Sequence, residues 1–172
     1  NDVHIVNFGS TYSVAALLKS GPQNVERGEH AKYRSLDGVC PPTISEEAYR
    51  AEVNARLATL DLPQDFPDPF AYAACEWICD QIRKANGLAI FCHPYWISDV
   101  YQVPETFVEL LMERQPFDAF EVCGGLAYYE QNGFQYARYY QDREKGRKYP
   151  VVGSTDSHGS VHNPHKLTAR TI

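Results

Sequence analysis

Apolar residues in this chain follow two patterns, short continuous runs and longer segments in which they recur every three or four positions. Continuous runs are typical of buried strands, and the spaced pattern is typical of amphipathic helices. Because the spaced segments lie between the runs, the sequence predicts an α/β fold with parallel strands. The predicted strands are Val3–Phe8, Leu88–Cys92, Phe117–Cys123 and Tyr149–Gly153.

Capping and turn residues place the ends of the helices. Thr43, with Glu46 three residues later, has the capping-box pattern and predicts a helix that starts near Thr43. Asp68 is an N-cap followed by proline in the first helical position, and Gly87 closes this second helix. A third helix is predicted from Pro104 to about Arg114, and a fourth from after Gly125 to about Lys145, with a candidate break at Asn132–Gly133.

The totals indicate a single globular domain over residues 1–172. Hydrophobic residues make up 44% of the 172 residues and charged residues 22%, which is ordinary for a globular protein. Residues 20–42 contain glycine, proline and charges with little periodicity, so they predict a mobile loop. The chain starts at Asn1 without methionine and ends at Ile172 in what reads as a new strand, so we expect a segment truncated at both ends.

Charge and cysteine content narrow the classes of partner and compartment. A net charge of −6 does not favour a nucleic-acid-binding surface. No apolar run approaches the roughly 18 residues of a membrane span. The five cysteines are an odd number without disulfide-like clustering, which favours a reducing compartment and hence the cytoplasm. Cys92 and Cys123, near strand ends, are interpreted as buried packing residues.

Histidine and aspartate occur where predicted strands begin or end. Three histidines, His4, His93 and His158, lie in or at the end of a strand, and Asp156 lies two residues before the last of them. On an extended backbone, side chains two residues apart point to the same side. Each residue alone has an ordinary structural explanation, as a hydrogen-bonded histidine or a helix cap. Together they predict a divalent-metal site for Zn, Mn or Fe, which imidazole and carboxylate ligands suit.

Three further side chains are candidates for contact with an anionic substrate. His162 and His165 follow the Asp-x-His motif and could meet a substrate phosphate. Arg34 lies in a small basic and aromatic cluster of the 20–42 loop. The alternative for all three is a solvated position on a loop.

Four segments of the chain carry motifs that occur in a recognisable order. They are Val3-His-Ile-Val-Asn-Phe-Gly9, Gly87-Leu-Ala-Ile-Phe-Cys-His-Pro94, Phe120-Glu-Val-Cys-Gly124 and Gly153-Ser-Thr-Asp-Ser-His158. In this order they resemble motifs of the PHP (polymerase and histidinol phosphatase) superfamily. The resemblance covers nearly the whole chain, and the motifs are specific together rather than singly.

The resemblance implies a fold, an activity and a set of ligands. The implied fold is a distorted (βα)7 barrel with outer helices, of which this chain would be an incomplete copy. The family usually holds two or three divalent metals and hydrolyses phosphoesters. Glu121 matches a recurrent strand-end acid, which we do not assign as a ligand because it could as easily hydrogen-bond a neighbouring loop. The positions that match metal ligands are His4, His93, Asp156 and His158.

Other ligand motifs of the family do not occur in this chain. The first His-x-His motif, the Asp-His motif that follows it and the acid before the first matched strand would all lie upstream of Asn1. We therefore expect this segment to bind metal incompletely and to need the missing part for catalysis.

The expected function is that of a metal-dependent phosphoesterase, which attacks a small phosphorylated metabolite or a nucleotide through a metal-activated water. One alternative is a catalytically silent PHP-like module with a structural or binding role. Another is an amidohydrolase-type metal hydrolase, because a barrel fold does not determine the reaction. An upstream His-x-His motif would favour an enzyme over a silent module, and a substrate panel would separate the two hydrolases.

Overall fold

The computed structural model describes residues 3–18, 42–96, 103–124, 130–154 and 156. Apart from Pro42, the predicted 20–42 loop lies outside the described residues. The strands are β1 (His4–Phe8), β2 (Leu88–Cys92), β3 (Ala119–Cys123) and β4 (Val151–Gly153). The α-helices are α1 (Glu46–Leu57), α2 (Pro69–Lys84), α3 (Glu105–Arg114) and α4 (Glu130–Glu144), and a 3-10 helix, Val14–Leu17, follows β1.

The four strands form one sheet in the order β1-β2-β3-β4. β2 and β3 are parallel, with Phe91 opposite Phe120, and β3 and β4 are parallel, with Phe120 opposite Val151. α3 joins β2 to β3 and α4 joins β3 to β4, because parallel neighbours need a crossover connection. The predicted α/β class with a largely parallel sheet is confirmed. The strands that the structure describes form an open sheet.

Strand β1 runs antiparallel to β2, a direction that the sequence did not predict. Its first residue, His4, lies beside His93, which follows the end of β2. Beyond the other end of β1, the Thr11 N–H donates to the Ala85 carbonyl, which precedes β2, at 2.8 Å. The prediction of parallel strands is therefore wrong for β1. The reversed direction is what brings His4, at the start of its strand, to the carboxyl end of β2.

The packing of the chain divides it into two compact units. One is Asn7–Ala89, and the other combines Asn1–Val6 with Ile90–Ile172. All the side chains of the candidate site described below belong to the second unit.

In the unit Asn7–Ala89, helices α1 and α2 pack around Trp77, which is 4% exposed. Tyr49 lies edge-on to Trp77, with ring centroids 5.1 Å apart. The Trp77 indole N–H donates to Glu52 Oε2 at 2.7 Å. That bond lets the large ring be buried without an unpaired polar atom.

In the second unit, aromatic side chains of β2, of β3 and of the segment just before β4 pack against one another in a continuous core. Phe91 and Phe120 have ring centroids 6.0 Å apart, and Phe120 lies edge-on to Tyr149 at 5.9 Å. Pairs at such distances add stability beyond the burial of their apolar area. From α3, Phe107, Leu111 and Met112 are buried in the same unit.

The ends of α1 and α2 test the capping predictions. Asp68 is the N-cap of α2, as predicted, and its Oδ1 accepts from the Ala71 N–H at 3.1 Å. For α1 the predicted cap is wrong by two residues. Ser45, not Thr43, precedes the helix, and its hydroxyl accepts from the Ala48 N–H at 3.1 Å.

Two further details differ from the predictions. Helix α4 is continuous through Asn132–Gly133, so the candidate break is wrong. The Asn132 side chain hydrogen-bonds the backbone of Gly124, just after β3, and therefore does not compete for the backbone hydrogen bonds of its own helix. In β2, Ala89 and Phe91 are buried but Leu88 is 51% exposed, so the strand is not covered on both faces along its whole length.

Of the helices that the structure describes, none has the length and apolar character that crossing a membrane requires.

Candidate metal centre

Two histidines from different strands meet at one edge of the sheet. His4 Nδ1 lies 2.8 Å from His93 Nε2, and the rings are edge-on with centroids 5.0 Å apart. His93 is 7% exposed, whereas His4 is exposed to solvent. The pair therefore combines one imidazole held in the protein with another that solvent and solutes can reach.

Glu121, from the middle of β3, orients His93. Its Oε2 lies 2.5 Å from His93 Nδ1, and the two side chains are 2% and 8% exposed. A carboxylate only accepts hydrogen bonds, so it selects the His93 tautomer with its proton on Nδ1. In that neutral tautomer the lone pair of Nε2 is directed at His4. A carboxylate that fixes a histidine in this way is the usual second partner of metal-binding imidazoles.

Glu121 keeps its negative charge although it is buried. Burial by itself raises the pKa of its carboxyl, but the hydrogen bonds from His93 and Ser154 outweigh burial and hold the pKa below its usual value. The Ser154 hydroxyl, just after β4, donates to Glu121 Oε1. Each oxygen of the carboxylate thus has its own donor, which leaves the group little freedom to turn.

The space for this carboxylate depends on Gly124. A Cβ atom at Gly124 would lie 2.6 Å from Glu121 Oε2, closer than real Cβ contacts come. Asn132 of α4 holds the backbone there: its Oδ1 accepts from the Gly124 N–H at 3.0 Å, and its Nδ2 donates to the Gly124 carbonyl at 3.2 Å. Gln135 Nε2 donates to Asn132 Oδ1 at 2.9 Å and restrains the amide in turn.

Backbone strain coincides with two of the predicted ligands. His93 and Asp156 have positive φ angles of 27° and 46°. For residues other than glycine this region costs on the order of 1 kcal/mol or more, and it persists only where surrounding contacts impose it. At His93 those contacts include the Trp96 N–H, which donates to the His93 carbonyl at 3.0 Å.

Cys92 adds a sulfur atom to the same cluster. Cys92, His93 and Glu121 are all buried, and each offers a ligand atom within 4.8 Å of the other two. Burial raises the pKa of the Cys92 thiol, the negative charges of Glu121 and Asp156 raise it further, and the Val6 N–H acts in the opposite direction.

Of the four predicted metal ligands, the structure brings His4 and His93 into direct contact, and Asp156 acts on the thiol next to His93. His158 lies outside the described residues. The three predicted substrate-contact residues, Arg34, His162 and His165, also lie outside them. The structure thus places two of the four predicted ligands side by side, and the metal-binding and substrate-contact roles of all these residues stay predictions.

The sequence alone did not predict that Glu121 and Cys92 belong to this cluster. Glu121 carries a signal in the sequence, because an acid flanked by apolar residues in a strand is rarely buried without a partner. Cys92 carries none beyond its place before His93, since a buried cysteine is ordinarily a small packing residue. Only the side-chain geometry shows that the Cys92 sulfur and a Glu121 oxygen lie within 4.8 Å of a His93 ring nitrogen.

No protein-family model, no curated protein and no solved structure matches this chain.

Proposed function

We propose that this chain carries part of the metal centre of a metal-dependent hydrolase, a phosphoesterase that acts on a small phosphorylated metabolite or a nucleotide. The observation that carries the proposal is the triad of Glu121, His93 and His4. In this triad a buried carboxylate holds one imidazole so that its Nε2 lone pair faces a second imidazole. A neutral imidazole has one donor and one acceptor nitrogen. In His93 the donor is held by Glu121, and the acceptor faces a second imidazole, His4.

The donor atoms fit a divalent metal in chemistry and in spacing. Imidazole nitrogen with carboxylate oxygen suits Zn, Mn and Fe. Two nitrogens bound to one zinc at about 2.0–2.1 Å and a tetrahedral angle lie about 3.3 Å apart. The two imidazole nitrogens lie 2.8 Å apart, so they need to separate by only about half an ångström. The exposed His4 ring can make this movement with little repacking.

Each residue has a distinct part in the proposed centre. His4 and His93 bind the metal through Nδ1 and Nε2, and Asp156 and His158 complete the ligands that this chain supplies. Glu121 keeps the proton on His93 Nδ1 and fixes the plane of the ring. A bound metal ion would supply Lewis-acid catalysis and neutralise charge on the phosphoryl group.

The PHP resemblance supports the wider part of the proposal. It accounts for the order of the matched motifs, and it extends the open sheet to a barrel that holds two or three metals. Arg34, His162 and His165 are proposed contacts for the substrate phosphate. The cytoplasm is the proposed compartment.

Hydrolysis is tested with the protein in its full reading frame. We expect the Zn²⁺- or Mn²⁺-loaded protein to release phosphate from phosphomonoesters or nucleotides, to lose this activity with a chelator and to regain it with metal. The panel includes cyclic amides, so that cleavage of C–N bonds would instead identify an amidohydrolase. Tight metal binding without hydrolysis of any phosphoester would contradict the phosphoesterase.

Gly124→Ala tests how the carboxylate supports the centre. The added Cβ would lie 2.6 Å from Glu121 Oε2, so the carboxylate or the backbone at residue 124 must move, and we expect this movement to disturb the contact between Glu121 and His93. Loss of such a supporting contact typically weakens metal binding by about 10- to 100-fold. We expect a decrease of this size in Zn²⁺ affinity, measured by competition with a chromophoric chelator.

Gly153→Ala is the matched control at the end of the neighbouring strand. There the added Cβ would lie 3.7 Å from the Cys123 carbonyl oxygen, an ordinary van der Waals contact. We expect its Zn²⁺ affinity to stay close to that of the wild type. Equal affinities in all three proteins would show that Glu121 does not position a metal ligand.

A further inference from the structure

We propose that Cys92 is a sulfur ligand of this metal centre, and that the centre therefore selects zinc-like ions over Mg²⁺ and Mn²⁺. The inference rests on the proposed function, because it adds a donor to the same site. Neither the His/Asp ligand set expected from the sequence nor the triad includes this residue.

The position of Cys92 supports ligation. It is the last residue of β2, directly before His93, and it is 1% exposed. Its ligand atom lies within 4.8 Å of those of His93 and Glu121. A sulfur and a nitrogen on one zinc ion, at about 2.3 Å and 2.0–2.1 Å, lie about 3.6 Å apart. Because the sulfur lies within 4.8 Å of one of the two ring nitrogens of His93, movement of these side chains would let both residues bind one ion.

The surroundings of the sulfur include the polar atoms of His93 and Glu121. Burial and the charge of Glu121 raise the pKa of the thiol, so in the metal-free chain the sulfur keeps its proton, and it donates to the Ile90 carbonyl at 3.4 Å. Glu121 is already occupied on both oxygens, by His93 and by Ser154. The carboxylate is thus committed to orienting His93, and the sulfur is the remaining buried donor of the cluster. On binding, the S–H proton leaves to solvent, one S–metal bond forms, and nothing is oxidised or reduced.

A thiolate donor changes which metal the site prefers. Thiolate with imidazole suits zinc and related ions, whereas magnesium and manganese prefer sites built from oxygen. The inferred centre is a mixed sulfur, nitrogen and oxygen site. Selectivity for zinc over manganese is the property that this composition predicts and that histidine and aspartate alone do not.

Cobalt provides a direct readout, because Co²⁺ occupies zinc sites and a thiolate ligand adds a charge-transfer band in the near ultraviolet. The metal-free chain is titrated with Co²⁺ alone, and Zn²⁺ is then added to displace it. We expect the charge-transfer band to saturate with the visible cobalt bands. In Cys92→Ser the charge-transfer band should be lost and Zn²⁺ affinity should fall by more than about tenfold, with Mn²⁺ affinity nearly unchanged.

Matched variants make the outcome decisive. Cys75→Ser, at a buried cysteine of α2, should keep the band, and Cys92→Ala replaces Cys92→Ser if circular dichroism shows that the serine variant does not fold. Visible cobalt bands without a charge-transfer band in the wild type would overturn the inference and leave the proposed centre in place, as would a band that persists in a folded Cys92 variant. Absence of any Co²⁺ binding would overturn both.

Discussion

Replacing His93 with alanine is expected to abolish stoichiometric zinc binding by this chain. The substitution removes the buried imidazole of the proposed centre together with its contact to Glu121. Loss of a supporting contact alone costs about 10- to 100-fold in metal affinity. Loss of the ligand itself should therefore raise the Kd for Zn²⁺ by more than about 100-fold. Competition with a chromophoric chelator measures this change.

The same substitution has a second effect that a control separates from metal binding. Without the His93 imidazole, a carboxylate that is 2% exposed loses one donor and keeps the Ser154 hydroxyl and the backbone N–H of residue 93. A buried polar group that loses a partner costs about 1–3 kcal/mol of stability. His93→Gln retains an N–H donor of similar reach but no imidazole, so it should lose zinc binding while it keeps more of the stability. Zinc affinity of either variant within about threefold of the wild type would show that His93 is not a ligand.

Zinc should also stabilise the wild-type chain against unfolding. A ligand at 100 times its Kd adds about 2.7 kcal/mol to the free energy of unfolding when it binds only the folded state. The resulting rise in the melting temperature on addition of Zn²⁺ should be absent in both His93 variants. Such a comparison confirms that the metal binds the folded site and not scattered cysteines and histidines of the unfolded chain.

Among the ion pairs that the structure describes, the one in which we expect a substitution to lower the free energy of unfolding most is that of Asp142, replaced by alanine in Asp142→Ala. Asp142 is 0% exposed, and its carboxylate accepts from Arg138 Nε at 3.0 Å, Arg147 Nη1 at 2.7 Å and Tyr149 Oη at 2.8 Å. Arg138 is itself 3% exposed. Removal of this carboxylate breaks a buried ion pair and leaves Arg138 Nε and the Tyr149 hydroxyl without their acceptor, although Arg138 keeps its pairs with Glu105 and Glu109. Breaking a buried pair in this way costs about 3–5 kcal/mol.

Urea unfolding of the metal-free chain measures this loss, and a surface pair supplies the control. Glu46 and Arg50 of α1 pair at 2.9 Å with side chains that are 60% and 59% exposed. Exposed pairs contribute about 0–1 kcal/mol, so Glu46→Ala should change the free energy of unfolding by no more than this amount. If Asp142→Ala cost no more than Glu46→Ala, the buried network would not stabilise the fold.

The dependence of stability on pH follows from the same carboxylate. Burial raises the pKa of Asp142, but hydrogen bonds from Tyr149, Arg138 and Arg147 outweigh it and hold the pKa below its usual value. A carboxyl with a depressed folded-state pKa contributes stability above its unfolded pKa of about 3.9. That contribution is lost as the pH falls through the folded-state value. Below about pH 4 the wild type should therefore lose stability more steeply than Asp142→Asn, and equal slopes would contradict the assignment.

Within the described residues, the pattern of apolar residues predicted the four strands and the four α-helices but not the 3-10 helix Val14–Leu17. Strands and amphipathic helices bury apolar side chains with periods that a sequence displays directly. Local chemistry was sufficient for the cap at Asp68, where the side chain bonds the backbone three residues on. It failed by two residues at α1, because Thr43 and Ser45 both offer a hydroxyl near the helix start.

Residues for the candidate site could be predicted in part. His93 stands at the end of a strand with a strong pattern, and His4 stands in another, so both were identified as residue types with a chemical role. The contacts of His93 with His4 and Glu121 could not be predicted from the sequence. They depend on the direction of β1 and on the register of β2 against β3, which determine which side chains become neighbours across the sheet.

The sequence by itself determined the α/β class, the elements and the histidines at the strand ends, because these follow from interactions between residues close together in the chain. The tertiary structure decided the antiparallel direction of β1, the acceptor role of Glu121, the proximity of the Cys92 sulfur to Glu121 and the network around Asp142. Glu121 is 28 residues from His93, and His4 is 89 residues from it. Contacts over such separations depend on how the strands align, and the hydrophobic pattern of one strand does not encode the alignment with its neighbour.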